Sequence, residues 1–162
     1  PAPSARGSAG EPAARRAVRG SRERYHSVVS TAAGQPTAPR RRKRILIVDD
    51  DPAIGRMLAR LFERDHDVVI AGDGPSAIAL ASRAPAPDLA LLDIMMPVMD
   101  GLTLALRFKA MPETRKMPVI FITAKGASTD VIRGIQAGAR SYIVKPFRLE
   151  DVREKVHKAL GA

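Results

Sequence analysis

Residues 45–52 read Ile45-Leu46-Ile47-Val48-Asp49-Asp50-Asp51-Pro52, four aliphatic residues running straight into three carboxylates and a proline. The aliphatic run is short, β-branched and unalternated, as a strand covered on both faces should be. Asp51-Pro52 reads as an N-cap followed by proline at the first helical position. Ile54, Met57, Leu58, Leu61 and Phe62 then recur at helical spacing and predict an amphipathic helix.

The same unit repeats downstream. Val68-Val69-Ile70 predicts a second strand, and Gly74-Pro75 opens a helix carrying Ile78, Leu80 and Ala81. Leu89-Ala90-Leu91-Leu92 is a third strand; Asp100-Gly101 precedes a helix with Leu102, Ala105 and Leu106. Val119-Ile120-Phe121-Ile122 is a fourth strand, followed by a helix marked by Val131, Ile132 and Ile135, with Gly138 as its C-cap. Tyr142-Ile143-Val144 is the fifth strand, and Leu149, Val152, Val156 and Leu160 line the last helix. Strands alternating with helices give an α/β fold, here (βα)5, with a parallel sheet between two helical layers.

Upstream of this body the composition changes. Residues 1–44 hold 11 basic and 2 acidic side chains, a formal +9, whereas residues 45–162 hold 16 and 15, a formal +1. The chain's overall +10 therefore describes its first quarter. Ala, Arg, Gly and Pro dominate there, and Val18, Tyr25, Val28 and Val29 are too few to offset the entropy of ordering. Residues 1–42 are expected to be a disordered basic tail, with at most a marginal helix around Ala13–Arg24. The run Arg40-Arg41-Arg42-Lys43-Arg44 reads as a polar linker, and residues 43–162 as one domain. Cysteine is absent, which excludes disulfides, iron–sulfur clusters and thiolate zinc sites. No apolar run approaches the 18 or so residues of a membrane span, and no secretory signal is present, so a cytoplasmic protein is expected.

In an open parallel sheet, ligands bind beyond the carboxyl ends of the strands. Those ends carry Asp49, Asp50 and Asp51 on the first strand, Asp93 on the third, Thr123 on the fourth and Lys145 on the fifth. Adjacent carboxylates repel, and a hard cation such as Mg²⁺ relieves that repulsion. Asp93 suits a carboxylate nucleophile, Thr123 a donor to a phosphoryl oxygen, and Lys145 a neutralising cation. Each has a plainer reading: Asp51 as an N-cap, Thr123 as a turn hydroxyl, Lys145 as a solvated charge. Their joint placement on one sheet edge favours chemistry.

Ile45–Asp51, Leu92-Asp93-Ile94-Met95-Met96-Pro97-Val98-Met99-Asp100-Gly101, Ile122-Thr123-Ala124 and Tyr142-Ile143-Val144-Lys145-Pro146-Phe147 together resemble the CheY-like receiver domain of bacterial two-component response regulators. The resemblance spans about residues 43–161. It implies a flavodoxin-like doubly wound sheet of strand order 2-1-3-4-5 and a phosphorylation-activated switch rather than a conventional enzyme. Asp93 would be the phosphoacceptor. Asp50, Asp93, the carbonyl of Met95, and Asp49 directly or through water would hold Mg²⁺. Thr123 and Lys145 would contact the phosphoryl group, Tyr142 would be the aromatic switch partner of Thr123, and Lys145-Pro146 would be cis. Met95 and Lys125 would occupy positions whose side chains tune phosphoryl lifetime in that family. A histidine kinase or histidine phosphotransfer protein would be the donor, and a downstream protein would read about residues 127–160.

Two rivals are weighed against this. Haloacid-dehalogenase-like phosphatases also form an aspartyl phosphate, but place two acids two apart on the first strand, whereas Asp93 stands alone on the third. A nucleic-acid or anionic-surface binder acting through the basic tail is the other; GC-rich coding and solubility account for the same composition. The chain stops just past the last helix, so the reading is a receiver standing alone or one cut from a longer protein.

Overall fold

The structure is a computed structural model that describes residues 41–124 and 138–161. Five parallel strands form one sheet: β1 (Arg44–Val48), β2 (Asp67–Ala71), β3 (Leu89–Asp93), β4 (Val119–Ala124) and β5 (Ser141–Lys145), in the order β2-β1-β3-β4-β5. The described helices are α1 (Pro52–Phe62), α2 (Gly74–Ala81), α3 (Gly101–Ala110) and α4 (Leu149–Leu160). This is the flavodoxin-like, strand order 2-1-3-4-5 architecture expected from the sequence. The predicted helix about Val131, Ile132 and Ile135 lies outside the described residues, as does the tail through residue 40. Gly138, read as that helix's C-cap, has a left-handed φ of 80°.

Alternation along the central strands divides the core into two halves. Leu46, Val48, Ala90, Leu92, Val119 and Phe121 face the side packed by α2 and α3. Ile45, Ile47, Leu89, Leu91, Ile120 and Ile122 face the side packed by α1 and α4. Both faces are covered, which is why the strand runs are continuously apolar. Local signals start the helices as read: Asp51 Oδ1 accepts from the Ala53 amide at 2.8 Å, and Pro52 follows it. Asp73 and Asp100 cap α2 and α3 through the Ser76 and Thr103 amides.

One helix face differs from the periodicity reading. The buried stripe of α3 is Gly101, Leu104, Ala105 and Phe108, and Leu106 is 57% exposed. The stripe that seats Phe108 buries more apolar surface than the one through Leu102 and Leu106 would.

The basic run also differs from a free linker. Arg41 donates twice to Asp88 at 2.9 and 3.0 Å, and Lys43 reaches the same carboxylate at 3.3 Å. The Arg44 amide donates to Asp88 at 2.8 Å, while the Arg44 side chain bonds the Pro85 carbonyl. Arg42 donates to the carbonyls of Glu63 and His66 just beyond α1. Asp88 thus gathers the cations that look surplus in the sequence. Burial alone would raise its pKa, but the Arg44 amide and the Lys43 and Arg41 charges outweigh that and hold it below the ordinary value. A depressed carboxyl stabilises the fold above its unfolded pKa, and that stability is lost as pH falls through the folded pKa. Asp88→Asn is therefore expected to cost about 1.5–3 kcal/mol at neutral pH, and the deficit should vanish in acid, as denaturant melts at both pH values would show.

Candidate functional site

Parallel topology brings the carboxyl ends of β1, β3, β4 and β5 to one pole. Asp49 follows β1 and Asp93 closes β3, and both side chains are buried; Asp50 stands exposed between Asp49 and the helix cap. One carboxylate oxygen from each of Asp49, Asp50 and Asp93 lies within 4.8 Å of the others. Lys145 enters from the end of β5, its ammonium 3.1 Å from Asp49 Oδ2 and 3.5 Å from Asp93 Oδ2. Thr123, at the level of Val144 on β5, is buried, and its hydroxyl makes a 3.4 Å contact with the Ala124 carbonyl. Lys145-Pro146 is cis, as expected.

The electrostatics follow from this crowding. Burial pushes the Asp93 carboxyl up from its ordinary pKa; the Lys145 charge pulls it back, and neighbouring Asp49 adds to the rise. The Met95 backbone amide also favours the charged form of Asp93. Burial alone would lower the Lys145 ammonium, but its bond to Asp49 and the charge of Asp93 leave it raised. The pole thus holds a cation that stays charged beside carboxylates short of positive partners. Hard oxygen donors converging this closely match the demands of Mg²⁺ or a similar ion.

Not every expected residue joins the cluster. Tyr142 pairs with Phe121, two residues back along the sheet from the Thr123–Val144 pair, and its side chain is 42% exposed. It shares a sheet face with Thr123, since Phe121 and Thr123 are two apart. The Met95 side chain is 65% exposed beside the pocket. Lys125 lies outside the described residues.

Two residues in the β3–α3 connection have roles that the sequence did not reveal. Val98 has a φ of 69° and is 94% exposed, in a three-residue turn closed by the Met99 amide on the Pro97 carbonyl at 2.8 Å. A β-branched residue in this region is strained by about 1–2 kcal/mol, against about 0.5–1 kcal/mol of chain entropy for glycine. Val98→Gly is expected to stabilise the protein by up to about 1 kcal/mol, read as a rise in the denaturation midpoint. Gly101 is the other: its amide donates to the Ile94 carbonyl at 2.9 Å, bringing its α-carbon against the main chain of Asp93.

Comparison with known proteins agrees with this geometry. Residues 45–157 match the response regulator receiver domain. The chain is 46% identical over 105 residues to the response regulator PleD of Caulobacter vibrioides, covering 64% of this chain and 23% of PleD. It is 37% identical over 120 residues to the DNA-binding response regulator MtrA of Mycolicibacterium smegmatis, covering 74% and 51%. The chain thus spans about a quarter to a half of the length of these curated relatives. Among solved structures, a response regulator of Chloroflexus aurantiacus superposes with a TM-score of 0.70 at 31% identity, covering 75% of this chain and 99% of that one. The chemotaxis protein CheY4 of Vibrio cholerae superposes at 0.68 with 26% identity, covering 73% and 98%. Among the described residues, no helix is long and apolar enough to cross a membrane. A five-stranded sheet in this order, an acidic pole facing a lysine, and a match over most of the chain lead to one conclusion: the protein belongs to the response regulator receiver family, the phosphorylation-dependent switches of two-component signalling.

Proposed function

We propose that Asp93 accepts a phosphoryl group from a phosphohistidine on a histidine kinase or histidine phosphotransfer protein, in a Mg²⁺-dependent step, and that the product changes which partner the protein binds. The convergence of Asp49, Asp50, Asp93 and Lys145 at one pole carries this reading. Asp49, Asp50, Asp93 and the Met95 carbonyl would hold Mg²⁺, which when bound would neutralise the crowded carboxylates and stabilise charge on phosphoryl oxygens.

The chain's own residues supply the remainder. An Asp93 carboxylate oxygen forms the new O–P bond as the donor's P–N bond breaks, and the donor imidazole leaves with the electron pair. Lys145 pairs with the charge on the transferred group, and Thr123 turns its hydroxyl toward a phosphoryl oxygen. A hydrogen bond to a charged group contributes about 1.5–3 kcal/mol. Reversing an equilibrium from 1:99 to 99:1 takes about 5.5 kcal/mol. Thr123 alone therefore does not drive the switch; Thr123 and Lys145 act together, beside the charge neutralisation that a bound ion would supply, with Tyr142 following Thr123 inward. The output region is about residues 127–160, of which 138–160 are described. Such a donor would act in the cytoplasm, which is the location this reading implies.

Binding of nucleic acid through residues 1–42 draws less support: the two tail cations among the described residues, Arg41 and Arg42, engage Asp88 and the carbonyls of Glu63 and His66. Incubating the full chain with Mg²⁺ and acetyl phosphate should give one phosphoryl group per chain, removable by hydroxylamine as an acyl phosphate must be. An adduct resistant to hydroxylamine, or none, overturns the reading.

A further inference from the structure

At the pole opposite the acids, the chain leaves α1 through Asp65-His66-Asp67 and enters β2. The His66 ring lies against Phe62, centroids 6.0 Å apart, and meets the His157 ring of α4 nearly edge-on at 6.3 Å. Its Nδ1 is shielded from solvent and has no hydrogen-bond partner among the described residues. The His66 amide donates to the Phe62 carbonyl at 2.9 Å, and its carbonyl accepts from Arg42, so the backbone is fixed while the ring nitrogen is not satisfied.

We propose that His66 and His157 form a proton-sensitive latch that holds the last turn of α4 against the end of α1. Neutral, the two rings pack as apolar plates beside Phe62 and the Leu160 end of α4. Protonated, His66 becomes an imidazolium with a shielded N–H and no acceptor, facing a second imidazole. Arg41, Arg42 and Lys43 line the same hollow from the N-terminal side, with Asp65 from the loop, and Asp88 acts on the ring from the approach to β3. Lys158, Leu160 and Gly161 follow His157 at the end of α4. The carboxylates favour a proton on His66, but Asp88 is already shared among Arg41, Lys43 and the Arg44 amide. Burial and His157 prevail, and the His66 pKa lies below its ordinary value. A base depressed in the fold leaves stability intact above its unfolded pKa and erodes it as pH falls toward the folded one. That loss falls on the contact between α1 and α4, at the pole opposite the acids, so the latch loosens α4 at a distance from Asp93.

The test is ring-proton NMR and amide exchange on the full chain and on His157→Gln, a change to a good helix former at an exposed helical position. His66 should titrate below the ordinary histidine range in the wild type and move up in His157→Gln. The opening equilibrium at the Ala159 and Leu160 amides should rise about threefold between about pH 7.5 and 5.5 in the wild type, and by less than half as much in the variant. Equal rises in both proteins overturn the latch, even if the His66 titration shifts; so does a His66 that titrates in the ordinary range.

Discussion

Gly101→Ala is expected to destabilise the protein by about 2–3 kcal/mol or more and to slow phosphorylation of Asp93 together with it. The reason is space rather than conformation. A β-carbon at Gly101 would run into the carbonyl oxygen of Asp93 and sit 3.0 Å from both the Asp93 carbonyl carbon and the Ile94 α-carbon. All three atoms are backbone, so no side chain can swing away to relieve the contact. The Gly101 amide is meanwhile tied to the Ile94 carbonyl at 2.9 Å. The clash is relieved only by moving α3 away from β3 or by displacing the main chain that aims Asp93. Urea melts should show a lower midpoint with an unchanged slope, and acetyl phosphate labelling should slow in parallel. A variant as stable and as reactive as the wild type would show that the loop has slack the structure does not reveal. Gly74→Ala is a useful contrast, because its nearest neighbours are atoms of the flexible Met99 side chain.

The second large effect concerns the ion. Added Mg²⁺ should stabilise the wild type by about 2.7 kcal/mol at a concentration one hundred times its dissociation constant. For a folded body of this size that corresponds to a rise in Tm on the order of 10 °C. Asp50→Asn should lose most of this while folding normally, because Asp50 is exposed and forms none of the bonds that hold Asp49 to the Asp51 amide and to Lys145. The pH dependence has a definite sign. The Asp93 carboxyl is raised, so the fold holds its proton to higher pH than the unfolded chain does. Without the ion, that group makes stability fall as pH rises from its unfolded pKa through its folded one. With the ion, the same proton competes for the site, so Mg²⁺-dependent stabilisation should shrink as pH falls through that window. Thermal melts with Mg²⁺ and with chelator, at several pH values, read both trends. Equal stabilisation of wild type and Asp50→Asn would place the ion elsewhere.

Strand identity was legible because burial on both faces writes an uninterrupted apolar run, and Ile45–Val48, Leu89–Leu92 and Val119–Ile122 are each such runs. Helix starts were legible because Asp51-Pro52, Gly74-Pro75 and Asp100-Gly101 are local signals, independent of tertiary context. The acidic pole was legible because the carboxyl ends of parallel strands must lie together. What could not be read depends on contacts distant in sequence. Asp88, in a proline-rich loop, gives no local sign that it will collect Arg41, Lys43 and the Arg44 amide, so Arg41–Arg44 looked like a linker. The α3 stripe was misjudged because Leu102 and Leu106 fit the helical period as well as Leu104 and Phe108 do, and only the neighbouring sheet decides between them. Gly101 looked like a helix start, and its closeness to Asp93 appears only once the loop is folded. Val98 carries no sequence mark of its positive φ, since valine is a poor residue for it.

The central claim is that Asp93 is the residue that takes the phosphoryl group. Intact mass and peptide mapping after treatment with Mg²⁺ and acetyl phosphate test it most directly. The account predicts a single adduct on the peptide containing Asp93 in the wild type and no adduct in Asp93→Asn. An adduct of equal yield in Asp93→Asn, or one mapped to Asp49 or Asp50 in the wild type, would contradict it.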